Sequence, residues 1–117
     1  MPFNRCPDCS GALRISKLSC EDCGLGLEGL FTTPRLSRLD AKEQRFVELF
    51  VLASGSLKQM AELLGVSYPT VRNRLDRLIE HLKAEQARDE ERRRQILEDI
   101  ENGRIPPKQG MRMIENL

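Results

Sequence analysis

Apolar residues recur at helical spacing through the middle of this chain, alternate in short runs before it, and return at helical spacing after a charged gap. Phe46, Val47, Leu49, Phe50 and Leu52-Ala53 mark one face of a helix. Asp40 precedes it with Glu43 three residues on, the pattern of a capping box, and Ser54-Gly55 ends it. Ser56 to Gln59 repeats the start signal, and Met60, Ala61, Leu63 and Leu64 form the next apolar stripe. Gly65-Val66 predicts a tight turn. Ser67 then caps a third helix with Pro69 in its first turn, where the missing N–H has no intrahelical partner to lose. Val71, Leu75, Leu78 and Leu82 continue that helix at steps of four, three and four. Two helices joined by a short glycine-centred turn predict a helix-turn-helix over residues 39–83.

The flanks read differently. Residues 1–31 contain Leu13, Ile15 and Ser16-Lys17-Leu18, predicted as strands of a small hairpin, and residues 32–38 read as a connector. Residues 84–95 are almost wholly charged, with opposite signs three or four apart (Glu85 to Arg88, Asp89 to Arg92, Glu90 to Arg94). They can continue the third helix as a solvated linker helix, since a coiled coil would need an apolar seam that is missing. Over residues 96–117, Ile96 to Gly103 reads as a helix with a glycine stop and Pro106-Pro107 opens another. Ile96, Leu97, Ile100, Ile105, Met111, Met113, Ile114 and Leu117 would line this C-terminal helical hairpin. About 22 residues bury too little surface to stand alone, so the hairpin is expected to dock on another chain or on the central module, with oligomerisation preferred. The fold class predicted is mainly α, with a small β ribbon ahead of a three-helix core.

Chemistry concentrates at the N-terminal end. Cys6-Pro7-Asp8-Cys9 and Cys20-Glu21-Asp22-Cys23 are two C-x-x-C pairs ten residues apart. Each turn sets two thiolates near one point, about 2.3 Å from a tetrahedral zinc, and two turns complete a closed four-cysteine shell. Gly11 and Gly24 suit the turns that follow. The reading is a structural zinc ribbon with Cys6, Cys9, Cys20 and Cys23 as ligands. Two disulfides would need an oxidising compartment, a thioredoxin-like site lacks its strand–helix surroundings, and iron in a rubredoxin-like site uses the same thiolates.

The third helix carries the second candidate site. With Val71, Leu75 and Leu78 facing inward, the opposite face shows Tyr68, Pro69, Arg72 and Asn73, with Thr70, Arg74 and Arg77 toward its rim. In a helix-turn-helix the start of this helix meets base edges in the major groove. Arg and Asn pair bidentately with guanine and adenine, and the three arginines with Ser67 and Thr70 could hold phosphates. The same pattern also suits a plain three-helix bundle with a solvated basic face, or a protein-docking face. His81 reads as a surface helix residue.

Composition narrows the field. The 117 residues carry 19 basic and 18 acidic groups, so nucleic-acid binding must come from a local patch. The 39% apolar fraction is low for a domain, and modules this small need a metal or a partner. No apolar stretch approaches the ~20 residues of a membrane helix. The start has no apolar core of a signal peptide, so a soluble cytoplasmic protein is expected. No paired carboxylates, activated nucleophile or phosphate loop suggest an enzyme.

The run Ser67-Tyr68-Pro69-Thr70-Val71-Arg72-Asn73-Arg74-Leu75-Asp76, behind Gly55-Ser56-Leu57-Lys58, resembles the bacterial family called domain of unknown function 2089. Both cysteine turns and Gly29-Leu30-Phe31 resemble its zinc-ribbon end, and Ile96-Leu97-Glu98 to Gly103-Arg104-Ile105 resembles the short oligomerisation module often attached to it. The resemblance implies a zinc ribbon, a helix-turn-helix similar to that of sigma-factor region 4, and a role in transcription. Gly110 departs from the alanine usual inside that hairpin's helix, at about 1 kcal/mol in helix propensity. Two function classes follow. One is a homo-oligomeric regulator binding double-stranded DNA. The other is a protein adaptor docking on RNA polymerase or a sigma factor, with a thiol/zinc redox switch as a possible addition.

Overall fold

A computed structural model describes residues 5–31, 33–115 and 117. Residues 1–4 of the expected ribbon, Thr32 of the connector and Asn116 of the hairpin lie outside the described residues. The chain forms two antiparallel strands, β1 (Ile15–Ser19) and β2 (Gly26–Phe31), then a 3-10 turn (Arg35–Arg38). Four α-helices follow: α1 (Ala41–Leu52), α2 (Leu57–Leu64), α3 (Tyr68–Glu101) and α4 (Pro107–Glu115). The mainly α fold with a small β ribbon is as expected. A Cα radius of gyration of 18.4 Å exceeds the ~13 Å of a compact chain this long. The 34-residue α3 accounts for the elongation, running about 50 Å at 1.5 Å per residue.

The start signals act as read. The Asp40 carboxylate accepts from the Glu43 N–H at 2.8 Å while Glu43 Oε1 accepts from the Asp40 N–H at 3.2 Å. Ser56 and Ser67 cap α2 and α3, and Gly65 takes the left-handed conformation (φ 67°) that reverses the chain between them. The core beneath is Leu39, Phe46, Ala53, Met60, Ala61, Val71 and Leu78, flanked by half-buried Val47, Leu49, Phe50, Leu57, Val66, Leu75 and Leu82.

Three expected core positions are instead exposed: Leu52, Leu63 and Leu64. Leu52 and Leu63 each lie about 120° around their helices from the inward line of neighbours, at 100° per residue. Leu64 keeps the inward direction but sits on the last turn of α2.

The ribbon is connected differently from the expected hairpin between the cysteine turns. β1 comes from between the turns, but its partner β2 lies beyond the second one, with Leu18 opposite Leu27 and Lys17 opposite Glu28. An isolated bridge, Arg5 to Ala12, flanks the first turn in the same way. Each cysteine turn therefore closes its own small hairpin. Among the described residues Ile15 and Phe31, paired at one end of the sheet, are half-buried, while Leu13, Leu18, Leu25, Leu27 and Leu30 are exposed.

The charged linker is neither separate nor simply solvated. Residues 84–95 are continuous with the helix before them and with Ile96 to Glu101 after them, so the hairpin's first helix is the last part of α3. The Arg35–Arg38 turn docks against this stretch and buries Glu85 and Asp89. Beyond Gly103, α4 folds back on the end of α3. There Gly110 is buried, and a β-carbon on it would overlap the Ile100 side chain. Glycine costs helix propensity, yet here it leaves room for the Ile100 side chain of α3 against α4.

Candidate metal centre and nucleic-acid interface

The two cysteine turns are built alike. In the first, the Cys6 N–H bonds to the Gly11 carbonyl and the Ser10 N–H to the Cys6 carbonyl, both at 2.8 Å. In the second, the Cys20 N–H bonds to the Leu25 carbonyl at 2.8 Å and the Gly24 N–H to the Cys20 carbonyl at 2.9 Å. The left-handed residue is Gly24 in one turn and Ser10 in the other (φ 74° and 62°), so Ser10, not Gly11, takes the position equivalent to Gly24. Gly11 instead keeps space beside Cys9, whose Sγ would lie 3.2 Å from an added β-carbon.

All four cysteines are free thiols, with Cys6 half-buried and the others exposed. Backbone N–H groups of Cys9 and Asp8, and then the Cys9 side chain, hold the Cys6 thiol below its ordinary pKa. Cys23 and Asp22 do the same for Cys20. Stabilised thiolates are the form a metal takes, so each turn fits half of a tetrahedral thiolate site. The thiols meet in pairs, and among the described residues no group of three or more potential ligands converges.

The helix-turn-helix presents the other candidate. Tyr68, Pro69, Arg72, Asn73, Arg74 and Arg77 are exposed along α3, while Val71 and Leu78 are buried behind them. Ser67 and Thr70 are tied into the cap, with their hydroxyls 2.8 Å apart and the Thr70 N–H donating to Ser67 Oγ. Arg72 leans along the helix toward Asp76, Nε to Oδ1 3.4 Å, on an open surface where such a pair is weak. Its guanidinium can therefore be redirected to a ligand at little cost.

A third cluster escaped the periodicity. Arg38 grips Asp89 with both ends of its guanidinium, Nη1 to Oδ1 at 2.8 Å and Nη2 to Oδ2 at 2.6 Å, and its Nη1 reaches Glu85 at 3.1 Å. Arg35 Nε adds a bond to Asp89 at 2.9 Å, and Arg88 one to Glu85 at 3.1 Å. His81, expected at the surface, is half-buried, with Nδ1 2.8 Å from Glu43 Oε2 and Nε2 3.7 Å from Glu85. The readable signal was Glu85 and Asp89, each seven residues after an inward leucine, Leu78 and Leu82, with His81 one turn before Glu85. A scan for apolar seams passes over them because the inward positions are carboxylates.

The C-terminal residues divide. Ile96 is buried within the chain and Ile100 packs on Gly110, while Ile105, Met113 and Ile114 are half-buried. Leu97, Met111 and Leu117 remain exposed.

A helix-turn-helix with an open Arg/Asn face, joined to a ribbon of paired cysteines, defines at a coarse level a nucleic-acid-binding regulator. Residues 39–85 match the family model "Domain of unknown function (DUF2089)-HTH", and residues 6–37 match the model "DUF2089 zinc ribbon". The two together span two thirds of the chain, which belongs to the DUF2089 family. Searches of curated proteins and of solved structures return no match. No helix among the described residues is long and apolar enough to cross a membrane.

Proposed function

We propose that this protein is a cytoplasmic, homo-oligomeric transcription regulator that binds double-stranded DNA and has no enzymatic activity. The observation that carries the reading is the exposed start of α3, with Arg72 and Asn73 on its outer face directly after the Gly65 turn. In the major groove Arg72 and Asn73 read base edges, while Arg74, Arg77, Ser67 and Thr70 bind phosphates. Zinc is held by Cys6, Cys9, Cys20 and Cys23. It supplies a closed structural crosslink between the two turns, with no open position for chemistry. The exposed Leu97, Met111 and Leu117 are the surface a second copy covers.

The test is selection of random genomic duplex fragments by the zinc-loaded protein at about 0.1 M salt, beside the Arg72→Ala/Asn73→Ala variant. An enriched motif of two-fold symmetry, lost in the variant, is expected. Enrichment that survives the double substitution would remove the α3 assignment.

One observation favours a second reading. The ribbon carries three basic and four acidic residues over 5–31 and exposes Leu25, Leu27 and Leu30, a surface suited to protein more than to phosphate. On this reading the protein is an adaptor on RNA polymerase or a sigma factor. Co-purification with polymerase, without retention on DNA at low salt, would select it.

A further inference from the structure

The Arg35–Arg38 turn sits at the only passage between the two modules. Only residues 32–34 separate it from the end of β2, a reach of about 10 Å at full extension, and Pro34 stiffens part of that. On its other side Leu39 is wholly buried in the helical core. The Gln44 side chain donates to the Ser37 and Leu39 carbonyls, at 3.1 and 2.9 Å, and so holds the turn from α1. Burial of Leu39 alone would anchor one point of the connector and leave the ribbon free to swivel about it.

The ion cluster adds a second point of attachment, at Arg35 and Arg38. Arg38 engages Asp89 as a two-pronged fork, a geometry that fixes direction as well as distance. Asp89 and Glu85 lie one helical turn apart on α3, and both are buried. Among the described residues no buried side-chain polar atom lacks a partner. Buried ion pairs add little net stability over an apolar packing of the same shape, and their best-attested role is to select one arrangement among several. An apolar contact here would permit sliding along α3. A fork bound to one carboxylate does not.

We propose that Arg35, Arg38, Glu85 and Asp89 form a positioning clamp that holds the zinc ribbon in one orientation relative to the reading helix, so that both modules meet a ligand as one rigid surface. The inference rests on the proposed reading only for the nature of that ligand. The orientation is a property of the free protein. Arg38 and Asp89 are positioning residues that touch no ligand and act through the connector.

The experiment is amide relaxation by NMR on the full zinc-loaded chain without DNA, comparing the apparent tumbling time of residues 15–31 with that of α3. In the unmodified protein the two are expected to agree. In Asp89→Asn the ribbon value should fall by about half, toward that of an independently tumbling module, while α1 and α2 shifts and zinc content stay unchanged. Arg38→Lys, which keeps the charge and loses the fork, should fall between. If Asp89→Asn perturbs the helical core, Arg35→Ala supplies the same comparison, because it removes a partly exposed partner and leaves the Arg38 fork in place; a smaller fall is then expected. Ribbon tumbling that already departs from α3 in the unmodified protein overturns the proposal, as does unchanged ribbon tumbling in the variants. A failure to bind DNA changes neither outcome, so it counts against the functional reading alone.

Discussion

Among residues 5–31 no side chain is fully buried, whereas residues 39–78 enclose seven buried apolar side chains. The two regions are joined by a few residues, yet they are held in shape by different forces. The helical module withdraws apolar surface from water and caps its helix starts with Asp40, Ser56 and Ser67. The ribbon has one short two-stranded sheet, an exposed Lys17–Glu28 pair at 3.7 Å and leucines facing solvent. A two-stranded sheet of this kind is marginal in water. The cysteine turns are therefore the ribbon's substitute for a core, and its order depends on what joins those turns.

Metal removal gives the largest expected effect and the most direct way to break this contrast. Structural zinc contributes roughly 10–16 kcal/mol of apparent binding energy in small ribbons and fingers. Stripping the metal with a chelator, or replacing Cys23 by Ser, should collapse the amide dispersion of residues 5–31 while α1, α2 and the start of α3 keep theirs. A metal-free ribbon that retains the β1–β2 pairing in an NMR spectrum would show that the strands, not the thiolates, hold it.

The clamp lies between the two regimes, and acid probes it. Arg38, and then Arg35, hold the Asp89 carboxyl below its ordinary value of 3.8. Because the folded value is the lower one, the stabilisation is complete above the ordinary carboxylate range and is lost as pH falls below about 4 through the folded value. Asp89→Asn should cost roughly 2–4 kcal/mol in the docking of the connector, near the lower end for a broken buried pair because Arg38 keeps some access to water. Thermal melts followed at the helical module should therefore converge for the two proteins as pH is lowered toward 3. A gap that stays constant with pH would mean that the Asp89 charge is not what the connector senses.

The helix-turn-helix was legible because its signals are local. A cap, an apolar stripe and a left-handed glycine each act within one or two turns, and the exposed face of α3 follows from the buried one. The two-by-two cysteine pattern was legible for the same reason. The exposed Leu52 and Leu63 are local misreadings of helix angle, and the larger misses are long-range. The pairing of β1 with β2 across the second cysteine turn depends on which hairpin closes, which spacing alone leaves open. The burial of Glu85 and Asp89 depends on arginines some 50 residues earlier, and a segment of alternating charges looks solvated until its partners are known. With them in place, the seam of α3 runs Val71, Leu75, Leu78, Leu82, Glu85, Asp89, Ile96 in heptad phase, covered in turn by the core, the connector and α4.

The smallest effect is the sharpest, because local and long-range terms oppose each other at Gly110. Helix propensity alone makes Gly110→Ala stabilising by about 1 kcal/mol. Packing predicts the reverse: the new methyl group would overlap the Ile100 side chain and meet Ile96 Cγ2 at 3.5 Å. Overpacking of this kind costs about 1–3 kcal/mol. The net change expected is a loss of up to about 2 kcal/mol, confined to the docking of α4 on α3. Hydrogen exchange at the Gly110 amide, bonded to the Pro106 carbonyl at 2.9 Å, is expected to quicken while that at Val71 in the core is unchanged. Slower exchange at residue 110 would show that Ile100 yields to the methyl group, and that this hairpin, like the isolated helices from which propensities are measured, is governed by the backbone more than by its contact.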